Sequence, residues 1–308
     1  MASESPNETR ARTVSDALPV NVDRETVEGV LFALPYLLVF SVFLLYPLLK
    51  GLRMSLYDWN PIFPSQSEFI WFQNYVRMFN DPVFWTSVKN TFYFVVLTVP
   101  PLVVLGLLLA LGVNREVKGQ RFLRAVFFSP YILTVSVVAL VWMEIFAPQY
   151  GLLNYYLELF VASAPAWLSS YLFAMPAVAI ATIWWTLGFN FVILFSARQN
   201  VPERLYEAAK LDGASNWRML RDITIPQMKP ALVFVTIVQF IASFQIFGQV
   251  YIMTGGGPGN STQTLVMYLY EIAFQQHEFG YAAAVGYFLF AVLITVSLAN
   301  YFLLGGDQ

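Results

Sequence analysis

The stretch TFYFVVLTVPPLVVLGLLLALGV, Thr91–Val113, carries no charged side chain. It meets the requirement of about 20 consecutive apolar residues for a helix to cross the hydrocarbon core of a bilayer. Five other stretches meet it as well, approximately 30–52, 125–146, 172–197, 231–253 and 280–304. With 58% hydrophobic and 12% charged residues over 308 positions, and a mean hydropathy of +0.60, the chain has more apolar surface than one soluble core can hide. The bilayer is the expected solvent, and the fold class is an all-α membrane protein with six transmembrane helices.

These spans leave only connecting loops and tails, so residues 30–304 are read as one polytopic domain. The first 29 residues carry Glu4, Glu8, Arg10, Arg12, Asp16, Asp23, Arg24, Glu25 and Glu28. That is too polar for a signal peptide, and a mobile tail is expected there. Residues 305–308 form a short second tail. The net charge of −2 argues against a nucleic-acid partner, which would need a basic field. The absence of cysteine removes disulfides and thiolate metal sites.

Alternating the spans across the membrane sorts the cations. One face receives Arg10, Arg12, Arg24, Arg115, Lys118, Arg121, Arg124, Arg198, Arg204, Lys210, Arg218, Arg221 and Lys229; the other receives Lys50, Arg53, Arg77 and Lys89. The richer face is cytoplasmic by the positive-inside rule, which places both termini inside the cell membrane. On that face lies the polar segment 198–229.

Within it, Pro202 and Glu203 suit the first turn of a helix. Leu205, Ala208, Ala209 and Leu211 give that helix an apolar side, and Gly213 sits where a glycine cap would end it. Ser215 or Asn216 can cap a second helix carrying Trp217, Leu220 and Ile223, expected to stop before Pro226. Such a hairpin could lie on lipid headgroups or dock against a protein. Ala208 and Ala209 leave room for close approach, and Glu207, Lys210 and Asp212 offer both signs of charge, which suits a protein surface better.

The sequence EAAKLDGA (207–214), followed by ITIP (223–226), resembles the EAA loop of permease subunits in ATP-binding-cassette importers of the type I architecture. The matching residues are Glu207, Ala208, Ala209, Asp212, Gly213, Ala214, Ile223 and Pro226; the aromatic position of the motif holds Leu220 or Met219. SLYDWN (55–60), NYVRMFNDPVFWTSVKNT (74–91) and MTGGGPGNSTQTLVMYLYEIAF (253–274) are similar to the carbohydrate-uptake branch, the maltose and glycerol-phosphate permeases among them.

The resemblance implies that the loop is a coupling helix seated on a cytoplasmic ATPase. It implies as partners two copies of that ATPase, a second and different permease chain, and an extracytoplasmic solute-binding protein. ATP and Mg would belong to the ATPase, with no cofactor and no catalysis in this chain. The substrate class implied is a sugar or related polyol.

A sugar path in a bilayer needs hydrogen-bonding groups and aromatic faces. The fifth span supplies Gln239, Ser243, Gln245 and Gln249, which at 100° per residue share one side of a continuous helix. The fourth supplies Thr182, Trp184, Trp185, Thr186, Phe189 and Asn190. Each of these could instead hydrogen-bond between helices. Matching to the maltose-type permease selects Trp185, Thr186, Phe189, Gln239, Ser243 and Gln245 for the substrate path.

Other features carry less. TGGGPG (254–259) lacks the Lys-Ser/Thr of a phosphate loop and reads as a tight external turn. His277, the only histidine, lies in the same external loop, so no serine–histidine pair or zinc cluster is expected. Glu144 falls near a span end, at headgroup depth. Phe69, Trp71, Phe72, Tyr75, Phe79, Phe84 and Trp85 suit an interfacial helix. A self-contained carrier driven by an ion gradient is the alternative function; it would want ionisable groups at mid-membrane and internal repeats, and the sequence offers neither. An intramembrane enzyme would need paired catalytic residues at one depth.

Overall fold

The structure, a computed structural model, describes residues 24–113, 119–161 and 163–305. The chain divides into two units, residues 1–51 and 52–308. In the first, α1 (Arg24–Phe40) passes through a π-helical turn at Ser41–Leu45 into α2 (Tyr46–Ser55). In regular α register the ring of Pro47 would strike the carbonyl of Phe43, four residues back. The Tyr46 N–H instead reaches the Ser41 carbonyl, and the widened turn accommodates the proline. The helix begins at Arg24, six residues before the predicted span, because no glycine or proline interrupts residues 24–28. Residues 24–29 of the predicted tail are thus helical, and its remainder, residues 1–23, lies outside the described residues, as do Arg115 and Lys118 and residues 306–308.

The second unit opens with a two-residue antiparallel pair, β1 (Tyr57–Asp58) against β2 (Glu68–Phe69), with Tyr57 opposite Phe69. The short α3 (Gln73–Asn80) leads into α4 (Pro82–Gly112). Asp81 caps α4 by accepting the Val83 N–H at 2.8 Å, and Pro82 occupies the first turn, where its missing N–H costs nothing. These signals start the helix nine residues before the apolar run does.

The predicted third span is not one helix. It is α5 (Gln120–Phe128), a 3-10 turn at Ser129–Ile132, and α6 (Val135–Ile145), bent by 97°. Leu133 and Thr134 are extended, and Thr134 caps α6 by accepting the Val137 N–H. The Leu133 carbonyl, left without a helical partner, accepts the indole N–H of Trp185 at 3.1 Å. The predominantly apolar composition of 125–146 conceals this break, although Pro130 stands in the turn and Thr134 at the start of α6.

After α7 (Leu152–Leu157) come α8 (Ala174–Gln199), α9 (Glu203–Leu211) and α10 (Asn216–Met219). A second π turn, Leu220–Thr224, joins α10 without interruption to α11 (Ile225–Phe244). Pro226 therefore does not end the second hairpin helix as expected. The Ile225 N–H reaches back to the Leu220 carbonyl, and the wider turn makes room for the ring. The predicted fifth span also ends early, at Phe244, and 248–253 is a separate helix, α12 (Gly248–Met253). Last come α13 (Leu265–Tyr270), a π turn at Glu271–Gln275, and α14 (Phe279–Gly305). Among the described residues, five helices are long and apolar enough to span a membrane, and the bent α5–α6 pair makes the sixth.

Helices α4 and α8 make the longest packing contact. Ala174, Ala177, Val178 and Ala181 put small residues on one face of α8, which lets α4 come close. At Gly188 the approach is to α5: a methyl group there would lie 2.1 Å from the Phe127 carbonyl oxygen. One core group joins α3, α4, α13 and α14 around Phe84, Ile272 and Val285. A second joins α4, α6, α8 and α12 around Phe94, Phe146 and Val250, and a third joins α4, α8 and α11 around Phe191, Leu194 and Met228.

Candidate functional site: a polar cavity and a polar hairpin

Between α8 and the end of α11 lies a cavity of about 300 Å³. Trp185 and Thr186 of α8 line it together with Gln239 and Ser243 of α11 and Gln245 beyond it. Gln239 and Ser243 are four residues apart and share one face, as helical periodicity requires. Gln245 and Gln249 reach the cavity by another route, because the chain leaves the helix after Phe244 and re-enters one at Gly248. The single-helix arc expected for all four thus holds for two. Phe189, grouped with the path by resemblance, does not line the cavity; its ring stacks on Tyr131 at 5.3 Å, and Tyr131 also approaches Trp185.

Each polar group here has a defined role in the bundle. Thr186 donates to the Thr182 carbonyl and Thr182 to that of Val178, both at 2.8 Å, so α8 satisfies its own hydroxyls. The Ser243 and Thr98 hydroxyls lie 3.0 Å apart and tie α11 to α4. Gln239 donates from Nε2 to Asn190 Oδ1 at 2.8 Å, tying α11 to α8. Phe94 and Thr98 were not singled out from sequence, since a threonine or phenylalanine in an apolar run gives no sign of its facing. The lining contains no titratable side chain. It offers neutral donors and acceptors beside an indole, which suits an uncharged polar solute.

The hairpin ends α9 with a glycine cap. Gly213 is left-handed (φ 72°); its N–H donates to the Lys210 carbonyl at 3.1 Å, and the Ala214 N–H donates to Ala209 at 2.9 Å. Ser215 caps α10 by accepting the Arg218 N–H. Tyr206 anchors the unit: its hydroxyl lies 2.8 Å from that of Thr224, and the Arg198 guanidinium sits 4.8 Å from its ring centre. Glu207, Ala208, Asp212, Gly213 and Pro226 are exposed, whereas Ala209, Ala214 and Ile223 are half-buried. Glu207, Arg198 and Lys210 line a cavity of about 620 Å³ beside the hairpin. Leu211 and Trp217, read from sequence as part of the apolar sides of the two helices, are 89% and 69% exposed.

Near the N-terminus of α4 a polar cluster gathers around Asp81. It accepts from the hydroxyls of Tyr268 and Tyr281, the latter at 2.7 Å. Desolvation pushes the Asp81 carboxyl upward, but the two tyrosines and the N–H groups of Val83 and Phe84 outweigh it and hold it below the usual carboxylate range. Arg77 pairs with Glu278 at 2.7 Å and lies over the Tyr281 ring. The glycine turn after α12 has positive φ at Gly255, Gly256, Gly259 and Asn260, as a tight turn demands. His277 lies apart from the α8–α11 cavity, beside Trp59 and Asn60. Among the described residues, no three His, Asp or Glu side chains gather as a metal site.

Six apolar crossings, a neutral polar cavity between two of them and a capped polar hairpin define a multi-pass membrane transport subunit. Residues 90–304 match the family model of the binding-protein-dependent transport system inner membrane component, and the chain belongs to that family. It is 34% identical over 281 residues to the lactose transport system permease protein LacF of Rhizobium radiobacter, spanning 90% of this chain and 93% of that one. To the trehalose/maltose transport system permease protein MalF of Thermococcus litoralis it is 31% identical over 275 residues, spanning 89% and 92%. A chain of a bacterial ABC transporter involved in the import of the acidic polysaccharide alginate shares the fold, with a TM-score of 0.80 at 22% identity over 94% of this chain and 98% of that chain. The chain is a permease subunit of a multi-component importer, and the self-contained carrier reading is not favoured.

Proposed function

We propose that this permease forms half of the translocation path of an ATP-driven importer for a neutral sugar or related polyol, with Trp185, Thr186, Gln239, Ser243 and Gln245 along that path. The observation that carries this reading is the α8–α11 cavity: an indole and several neutral amides and hydroxyls without a titratable group. Aromatic faces meet the C–H surface of a sugar ring, and amides and hydroxyls meet its hydroxyl groups. The relatives named for lactose and for trehalose/maltose support the same class. Phe189 enters one step removed, by holding Tyr131 against Trp185.

On this reading a second, different permease chain completes the path, and a solute-binding protein delivers the sugar from outside. Two ATPase subunits, which hold ATP and Mg, receive the hairpin on the cytoplasmic side, where the cation bias also places both termini. Leu211 and Trp217 would enter the ATPase surface, with Glu207 and Asp212 facing its cations. This chain would carry no catalysis of its own.

The test is reconstitution of the complete complex in liposomes, with uptake of radiolabelled lactose, maltose and trehalose measured with and without ATP. ATP-dependent uptake of at least one sugar, lost in Glu207→Ala together with Leu211→Asp and weakened in Trp185→Ala, is the expected result. Uptake by the permease chain without an ATPase would overturn the reading.

A further inference from the structure

We infer that Asn190, which does not line the cavity, is a positioning residue that fixes which end of the Gln239 carboxamide faces the solute. The inference rests on the cavity being the solute path. Gln239 is 95% buried but lines the cavity, and its one hydrogen bond runs from Nε2 to Asn190 Oδ1 at 2.8 Å. A carboxamide has a donor end and an acceptor end. With Nε2 turned to α8, the uncommitted end is Oε1, which is not among the fully enclosed, unpaired polar atoms. The cavity is thereby presented with an acceptor at this depth, one that reads a solute hydroxyl as a donor.

Asn190 is fully buried, and its own Nδ2 is enclosed without a partner. Asn190 spends its amide on a single bond, and that bond goes to the one cavity-lining glutamine of α11. Leucine or valine at this position would pack the same space without an unpaired donor, so packing alone does not account for an asparagine. Loss of the bond would free Gln239 to rotate its amide or to turn toward Asn190's neighbours, and the solute would meet a mixed population of donor and acceptor.

The experiment measures ATP-driven uptake by the complete reconstituted complex, per mole of assembled complex, with the best transported of lactose, maltose and trehalose as probe. Gln239→Ala removes the acceptor and is expected to raise KM about tenfold, on the order of one desolvated hydrogen bond. Asn190→Leu is expected to raise KM several-fold with little change in kcat, and Asn190→Leu/Gln239→Ala to behave as Gln239→Ala alone, since the two act through one group. Asn190→Asp keeps an acceptor for Nε2 and is expected to stay within about threefold of wild type; it also serves if the leucine variant fails to assemble. A KM rise in Asn190→Leu that adds fully to that of Gln239→Ala, or an Asn190→Asp variant as impaired as the leucine one, overturns the positioning role. If Gln239→Ala leaves KM unchanged, it is instead the placing of the solute beside Gln239 that fails, and the inference fails with it.

Discussion

The Ala214 N–H donates to the Ala209 carbonyl across 2.9 Å, bridging the turn that joins the two hairpin helices. The bond requires Gly213 to be left-handed, a conformation that costs other residues about 1–2 kcal/mol. No atom lies within 4 Å of where a Cβ would stand, so the cost of a substitution is conformational and not steric. Gly213→Val should raise hydrogen exchange of the Ala214 amide about tenfold, and Gly213→Asn should raise it less. Unchanged exchange in the valine variant would mean that the turn is held by other contacts.

Asp81 should give the protein an acid-sensitive joint. Its carboxyl is held below the usual range in the folded state, so its contribution is present above the unfolded value of about 3.9 and is lost as pH falls through the lower folded value. The thermal midpoint in detergent should drop below about pH 4. Asp81→Asn keeps the capping oxygen but loses the charge that Tyr268 and Tyr281 serve, and should flatten this dependence.

Two glycines, one in the middle of α8 and one at the end of α4, should answer differently to alanine. At Gly188 the added methyl group meets backbone, the Phe127 carbonyl oxygen, which cannot swing away. Gly188→Ala should cost about 3 kcal/mol or more, read as a lower thermal midpoint or loss of the folded protein from membranes. Gly112 has no atom within 4 Å of a Cβ, and Gly112→Ala should leave stability within about 1 kcal/mol of wild type.

Trp185 serves the bend as well as the cavity. Trp185→Phe keeps an aromatic face but removes the N–H that satisfies the Leu133 carbonyl. Stability should fall by about 1 kcal/mol, while sugar KM should rise less than in Trp185→Ala. Equal KM effects in the two variants would show that the indole's bond to Leu133, and not its ring face, is what shapes the solute path.

The apolar spans were legible because hydrocarbon thickness sets a length that sequence displays directly. So was the hairpin, through Pro202, Gly213 and Ser215, each of which acts on the backbone locally. Most of the departures concern where an apolar helix starts or stops. The bend after Ile132 has local marks in Pro130 and Thr134, but the indole that satisfies the Leu133 carbonyl comes from Trp185, 52 positions away. Pro226 was read as a terminator, because the rule for proline assumes a four-residue ladder, and a five-residue turn evades it. For the same reason the periodicity argument reached Gln239 and Ser243 but could not treat Gln245 and Gln249, which lie past the last turn of α11. Interhelical pairs such as Thr98–Ser243 and Asn190–Gln239 require knowledge of which faces meet.

The unbroken run from Asn216 to Phe244 joins the hairpin to the cavity. Its 29 residues would span about 43 Å at the α-helical rise of 1.5 Å per residue. The hairpin's second helix and the residues Gln239 and Ser243 thus belong to one continuous helix, with the π turn and Pro230 between them. Gly248 and Gln249 sit on the far side of the break and belong to a separate helix. The cavity wall opposite α8 therefore changes element at the break after Phe244: Gln239 and Ser243 stand on the long helix, and Gln249 stands on the short helix beyond it.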